Sequence, residues 1–282
     1  MKKSIYIYLY ISLTISLNGQ VNNKQELDIM EGIKRSASFK LEEIKVRWKK
    51  AALENCPGVP CFICDTPAVS DIDGNAYETI AIGTQCWTKT NLKVTKYNDG
   101  TLIGDSTNST WGTSVIGART GYDVSVIPLS DYVGTFGYLY NWYAATDPRK
   151  LCPDGWHVPT DAEWTIMIQQ LDNMASATAV GVQSATAGTA LKSAVTNSFV
   201  GSGLGWDPSP SPGTNTSGFS GLPGGYRGSG VFNGIRNDAF FWSATENAPT
   251  YARFRALNSI GNVLRSVTSG KSIGASVRCL KD

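Results

Sequence analysis

Six cysteines constrain this chain more than any other feature. They are Cys56, Cys61, Cys64, Cys86, Cys152 and Cys279, an even set spread over most of the length. Their chemistry depends on the compartment, and the N-terminus speaks to that. Met1–Lys3 is a short positive start, and Ile5–Leu17 is an apolar stretch with some Ser and Thr. A membrane-spanning helix needs about 20 apolar residues. A secretory signal peptide over residues 1–19 fits better, cut after Ser16 or Gly19. An uncleaved anchor is the alternative. No cysteine lies near enough for a lipid-modified N-terminus. After cleavage we expect no membrane insertion. In an oxidising compartment the cysteines read as disulfides. We expect the pairs Cys56–Cys61, Cys64–Cys86 and Cys152–Cys279. A four-cysteine zinc site built from the first four is the alternative.

Residues 20–55 differ from all that follows. Apolar residues recur at Met30, Ile33, Ala37, Leu41, Ile44, Trp48 and Ala51, which marks one face of a helix. Consecutive four-residue steps break a strict heptad, so an amphipathic helix is favoured over a coiled coil. Such a helix serves as a stalk, as a homo-oligomerisation segment through residues 22–54, or as a helix packed on its own domain. Residues 56–67 form a Cys- and Pro-rich neck.

Residues 68–282 read as an α+β domain with few helices, a small mixed sheet and long Gly-rich loops. With 29 glycines in 282 residues, turns are frequent. Tyr77–Ile82 alternates as a strand does. Thr160-Asp-Ala-Glu163 is a capping box, and Trp164, Met167, Ile168 and Leu171 follow at helical spacing. Residues 175–190 read as loop leading into a short helix at Thr189–Ala194, and residues 201–225 as loop. Trp242–Ala244, Ala252–Leu257, Asn262–Val267 and Ser276–Cys279 read as strands. Trp87, Trp142, Trp156, Trp164 and Trp242, with Tyr138, Tyr140 and Tyr143, are expected in the core rather than on a sugar-stacking platform.

Composition excludes several functions. The chain has 25 Lys+Arg against 23 Asp+Glu, too balanced for an electrostatic nucleic-acid binder. Its one histidine rules out centres needing two or three. His157 has no triad-like partner by spacing and reads as a hydrogen-bonded structural residue. Gly270-Lys271-Ser272 ends like a P-loop, but Arg265 stands where the first glycine belongs. Gly218-Phe219-Ser220 starts like a nucleophile elbow, but Leu222 replaces its last glycine. Asp71, Asp73 and Asn75 lack the Glu of a calcium loop, since that position is Ile82; they read as a turn. We therefore expect no catalytic residues, no metal and no cofactor. Asp154, Asp161, Asp238 and Glu246 are the carboxylates left for a polysaccharide-acting alternative.

Several blocks then occur in one order. They are Asp71-Ile-Asp-Gly-Asn75, Ile82-Gly-Thr-Gln-Cys-Trp87 with Asn91-Leu92, and Gly137-Tyr-Leu-Tyr-Asn-Trp-Tyr-Ala-Ala145. They continue with Leu151-Cys-Pro-Asp-Gly-Trp-His-Val-Pro-Thr160, Gly221-Leu-Pro-Gly-Gly-Tyr-Arg227, Phe241-Trp-Ser-Ala-Thr-Glu246 and Ser276-Val-Arg-Cys279. Together they resemble the Fibrobacter succinogenes major paralogous domain. The resemblance implies an exported bacterial protein and a fold like the C-type lectin and formylglycine-generating-enzyme group. The sugar-binding triplets of calcium-dependent lectins are not present. Within Arg253–Cys279, Leu257, Val263, Arg265, Lys271, Gly274, Val277 and Arg278 look like framework, while the positions between follow no pattern. That resembles the diversified ligand-binding region of some lectin-like proteins; an ordinary surface of strands and loops is the other reading. The expectation is a non-catalytic recognition module for a glycan or protein surface, secreted or held at the cell surface. Its ligand face would use Arg227, Asn233, Arg236, Asn237, Arg253, Arg255 and Asn258 as hydrogen-bonding groups. A structural protein assembling through its N-terminal helix is a further alternative.

Overall fold

The computed structural model describes Cys64 and residues 68–105, 111–122, 132–194, 205–207, 211–228 and 230–282. The expected signal peptide, the helix of residues 20–55 and the Cys56–Cys61 pair lie outside the described residues. So does the neck, apart from Cys64.

In chain order the strands are β1 (Ala68–Ser70), β2 (Ala76–Ile82), β3 (Gln85–Thr88), β4 (Gly104–Asp105), β5 (Ala118–Thr120), β6 (Leu139–Tyr140) and β7 (Trp156–His157). They continue with β8 (Gly181–Ser184), β9 (Gly224–Arg227), β10 (Phe232–Ile235), β11 (Asp238–Ala248), β12 (Tyr251–Asn258), β13 (Val263–Gly270) and β14 (Leu280–Lys281). Among the described residues the α-helices are α1 (Tyr132–Phe136), α2 (Trp142–Ala145), α3 (Asp161–Leu171) and α4 (Ala187–Leu191). One sheet has the order β1-β2-β3-β14-β7, a larger one β10-β9-β11-β12-β13-β8, and a small one β4-β5-β6. The domain is mostly β with few helices, and its sheets are more extensive than the sequence implied.

Local chemistry explains several elements. Gly83, at φ +60°, closes the tight β2–β3 hairpin in which Ile82 faces Gln85. Helix α3 starts at the Thr160 cap, and Glu163 accepts a hydrogen bond from the Thr160 backbone N–H at 2.7 Å. Its Trp164, Met167 and Ile168 are buried. All five tryptophans expected in the core are there. Three of the ring N–H groups find acceptors: Trp142 donates to the Ser243 carbonyl at 2.9 Å, Trp242 to the Tyr140 carbonyl at 2.7 Å and Trp164 to the Trp242 carbonyl at 3.3 Å, whereas the buried Trp87 N–H has no partner among the described residues. Of the three tyrosines, Tyr140 is buried, while Tyr138 and Tyr143 are half-buried.

Disulfides join Cys64 to Cys86 and Cys152 to Cys279, the latter with Cα atoms 5.9 Å apart. The second ties the middle of the chain to the last strand, inside the core.

Two strand expectations needed correction. Residues 175–190 contain β8, because Leu264 and Val263 supply partners for Val182 and Ser184. Ser276–Cys279 forms no continuous ladder. Its backbone is shared among Trp242, Leu92 and Thr88, and the strand begins at Leu280. The short helix starts at Ala187, slightly earlier than expected, and within residues 201–225 the chain turns to strand at Gly224.

Candidate functional site

The six-stranded sheet has two chemically different faces, set by the alternation of side chains along each strand. On the inner face, Phe241, Arg255 and Arg265 stand opposite one another across β11, β12 and β13. Ala239, Leu257 and Val263 form the adjoining row and pack in the core with Trp164 and Ile168 of α3. Asp161, in the first turn of α3, meets the arginines. It binds Arg255 at 2.6 Å, Arg265 at 2.6 Å and Arg253 at 2.9 Å. Gln183 and Thr165 take further Arg255 donors at 2.8 and 3.0 Å. Burial works to raise the Asp161 pKa, but hydrogen bonds and charge from Arg265, Arg255 and Arg253 hold it well below the usual carboxylate range.

The outer face carries a different row. Phe240, Ala256, Leu264 and Val182 stand opposite one another across β11, β12, β13 and β8. Beside it run Trp242, Phe254 and Ser266, and beyond it Asp238 faces Asn258. Asn233 on β10 faces Tyr226 on β9, whose ring lies 4.5 Å from that of Phe240. The Phe240 and Phe254 rings are 5.0 Å apart. Trp242 and Ala256 are buried, yet Tyr226, Phe240, Phe254 and Leu264 are only half-buried, and Val182 is 50% exposed. Phe240 and Phe254 pack against the buried cluster of Tyr140, Trp142 and Trp242 on this side, and Tyr226, Leu264 and Val182 continue the apolar row toward solvent, with a polar border of Asn233, Asp238, Asn258 and Ser266. Asp238 is half-buried and accepts no hydrogen bond from the described residues; burial pushes its pKa up.

The seven residues expected to bind ligand separate in the structure. Arg227 and Arg255 are buried, which removes them from any ligand face. Arg227 stacks on Trp111 at 4.6 Å, and Arg255 serves Asp161. Arg253 is half-buried on the inner face, also on Asp161. Arg236 pairs with Asp207 at 2.6 Å in the β10–β11 turn, where Asn237 is exposed. Asn233 and Asn258 border the outer face. Sequence reasoning missed Tyr226, Phe240, Phe254 and Leu264. The alternation of the framework positions Leu257, Val263 and Arg265 was the signal that placed the intervening residues on the opposite face.

A concavity of about 290 Å³ elsewhere is lined by Thr146, Lys150, Trp156, His157 and Asp282 among others. His157 there contacts Asp282 at 2.6 Å through Nδ1 and Glu163 at 3.0 Å through Nε2. Both ring nitrogens are thus engaged by carboxylates, one of them the capping-box Glu163. Spacing did not reveal Asp282, which lies 125 positions away, while Glu163, six positions away, reads from sequence as the capping-box residue of α3.

The rejected motifs have structural roles. Lys271 binds Glu246 at 3.1 Å and the Pro249 carbonyl at 2.8 Å, and lies over the Trp142 ring. Asp71 accepts from the backbone N–H of Asp73 and Asn75 and from the Tyr77 hydroxyl, as a turn residue does.

The family model for the Fibrobacter succinogenes major domain matches residues 80–281. The chain belongs to this family. Comparison with curated proteins and with solved structures finds no match. In this Fibrobacter succinogenes major domain, the framework positions named from sequence are interior. Leu257, Val263, Arg265, Lys271, Val277 and Arg278 are all buried. Gly274 packs so closely that a Cβ would lie 2.7 Å from the Trp111 ring. The intervening Phe254, Asn258, Leu264 and Ser266 of β12 and β13 reach the outer face.

Proposed function

We propose that this domain is a non-catalytic recognition module of an exported bacterial protein, and that the outer face of the six-stranded sheet meets its glycan or protein ligand. The observation that carries this reading is the row from Phe240 to Val182, half-buried at Phe240 and Leu264 and exposed at Val182, beside the Tyr226–Phe240–Phe254 rings. Aromatic residues at the centre of a patch with a polar rim are what interface cores are made of. Two disulfides support an oxidising compartment. No helix of the described residues is long and apolar enough to cross a membrane. The lectin-like grouping and the diversified C-terminal segment belong to the same proposal. The outward Phe254, Asn258, Leu264 and Ser266 of β12 and β13 support the diversified segment, although Arg255 and Ala256 between them are buried.

The polysaccharide-acting alternative is less well supported by the carboxylates. Asp161 is saturated by arginines and Glu246 is paired with Lys271. Asp154 shares Asn98 with the Cys152 carbonyl.

The test is binding of the oxidised protein to a mixed glycan and surface-protein array, beside a Val182→Glu, Leu264→Glu variant. Both positions reach solvent, so the variant keeps its fold, checked by circular dichroism. A ligand bound by the parent and lost by the variant supports the outer face. A ligand retained by the variant overturns that placement.

A further inference from the structure

Asp238 is an unusual residue for its position. An ionised carboxylate taken partly out of water is costly without a partner, and native proteins nearly always give it one. Here the described residues supply none. Arg236, two positions earlier, is engaged by Asp207 at 2.6 Å. Asn258, directly opposite on β12, uses its side-chain oxygen to accept from the Asn262 backbone N–H at 2.9 Å. The space around Asp238 is set by aromatic groups. A Cβ on Gly234 would lie 3.1 Å from the Asp238 carboxylate and 3.6 Å from the Tyr226 ring, so carboxylate and ring flank the same glycine. The Tyr226 ring in turn lies against Phe240.

We propose that Asp238, flanked by Tyr226 and Phe240, anchors a lysine ammonium or arginine guanidinium presented by a protein ligand. This rests on the outer sheet face being the recognition surface. A carboxylate beside aromatic rings is complementary to a cation through charge, and a ring whose face the cation reaches adds its quadrupole. A neutral sugar would satisfy the oxygens but leave the charge uncompensated. The rings also form no flat platform for a pyranose, since Tyr226 and Phe240 are inclined by 52° and Phe240 and Phe254 by 68°. Raising of the Asp238 pKa by burial agrees with a site awaiting a counter-charge.

The experiment is an NMR titration of the oxidised full chain with acetyl-arginine methylamide and acetyl-lysine methylamide. Acetyl-norleucine methylamide and methyl glucoside are the uncharged controls. The cationic probes should shift the amide signals of Tyr226, Gly234, Asp238 and Phe240, and the controls should not. Asp238→Asn, which keeps the side-chain shape, should weaken cation binding at least about 10-fold and raise Tm by about 1–3 °C. Unchanged cation binding in Asp238→Asn overturns the proposal. So does a glucoside response lost in that variant, which would make the site a sugar site. If no probe responds but the array ligand is still lost in Val182→Glu, Leu264→Glu, this proposal fails and the recognition face stands. If the array ligand survives in that variant, the face itself is misplaced.

Discussion

Two aspartates border the same six-stranded sheet from opposite sides. Asp161 meets the inner face and is held by three arginines, while Asp238 lies on the outer face with no partner among the described residues. Burial opposes ionisation at both, and the outcomes are opposite. Arginine contacts overcome the burial at Asp161 and lower its pKa; nothing does so at Asp238, whose pKa is raised. The difference teaches where this sheet is finished and where it is open. An ion network in which three arginines fill the Asp161 carboxylate fastens helix α3 to β12 and β13. An unsatisfied carboxylate among half-buried rings is a poor way to stabilise a fold and a reasonable way to hold a ligand.

The largest effect expected is at the inner face. Asp161→Ala leaves the guanidinium groups of Arg255 and Arg265 buried without their anion. Loss of one partner from such a network costs about 3–5 kcal/mol. Chemical denaturation of the oxidised protein measures it. A loss below about 1 kcal/mol, the size of an exposed pair, would erase the contrast between the faces.

The covalent tie comes next. Cys152→Ala with Cys279→Ala removes a link between residues 127 apart in sequence and should cost about 2–4 kcal/mol. The bond is remote in role from both aspartates, so it serves as a control. The change caused by Asp238→Asn should be the same with or without it, because independent sites add. Strong non-additivity would mean that the outer face is coupled to the core link.

Thr160→Ala sharpens the comparison on a smaller scale. It removes the hydroxyl that caps α3 and takes about 1 kcal/mol from stability. The Glu163 carboxylate also accepts from the Thr160 backbone N–H and contacts His157, so Asp161 should keep its arginine partners. A cost near that of Asp161→Ala would show that the cap, rather than the ion network, positions the helix.

The features legible in the sequence were those written locally. The capping box needs only Thr160 and Glu163, and the buried tryptophans announce themselves by size and chemistry. The Cys152–Cys279 link was readable because few cysteines lie in the later part of the chain. The arginines were misread for a physical reason. Arg255 reaches Asp161 from 94 positions away and Arg265 from 104, and no local pattern encodes that meeting. Polar side chains on strands were taken as exposed, which is the usual outcome. The outer aromatic face was harder still. Gly225, at φ +64°, interrupts the regular alternation of β9, so Tyr226 could be assigned to a face only from its ring contact with Phe240.

The smallest effect is the most diagnostic, because the two carboxylates should respond to pH with opposite sign. The Asp161 pKa is depressed in the folded state, so its contribution is present above the unfolded carboxylate value of about 4 and is lost as pH falls below it. The Asp238 pKa is raised, so the folded state holds that proton more tightly than the unfolded chain does. Its contribution is therefore present below about pH 4 and is lost as pH rises through the folded value. Asp238→Asn removes that penalty. The variant should exceed the parent by about 0.5–1 kcal/mol at neutral pH, and the gap should close as the parent carboxylate protonates. Denaturation series between about pH 3 and 7, run on parent and variant together, isolate this residue from Asp161, which both proteins share. A constant gap would show that the Asp238 carboxylate is as well solvated as an ordinary surface acid. The two faces would then differ only in how much charge they bury, and not in whether that charge is answered.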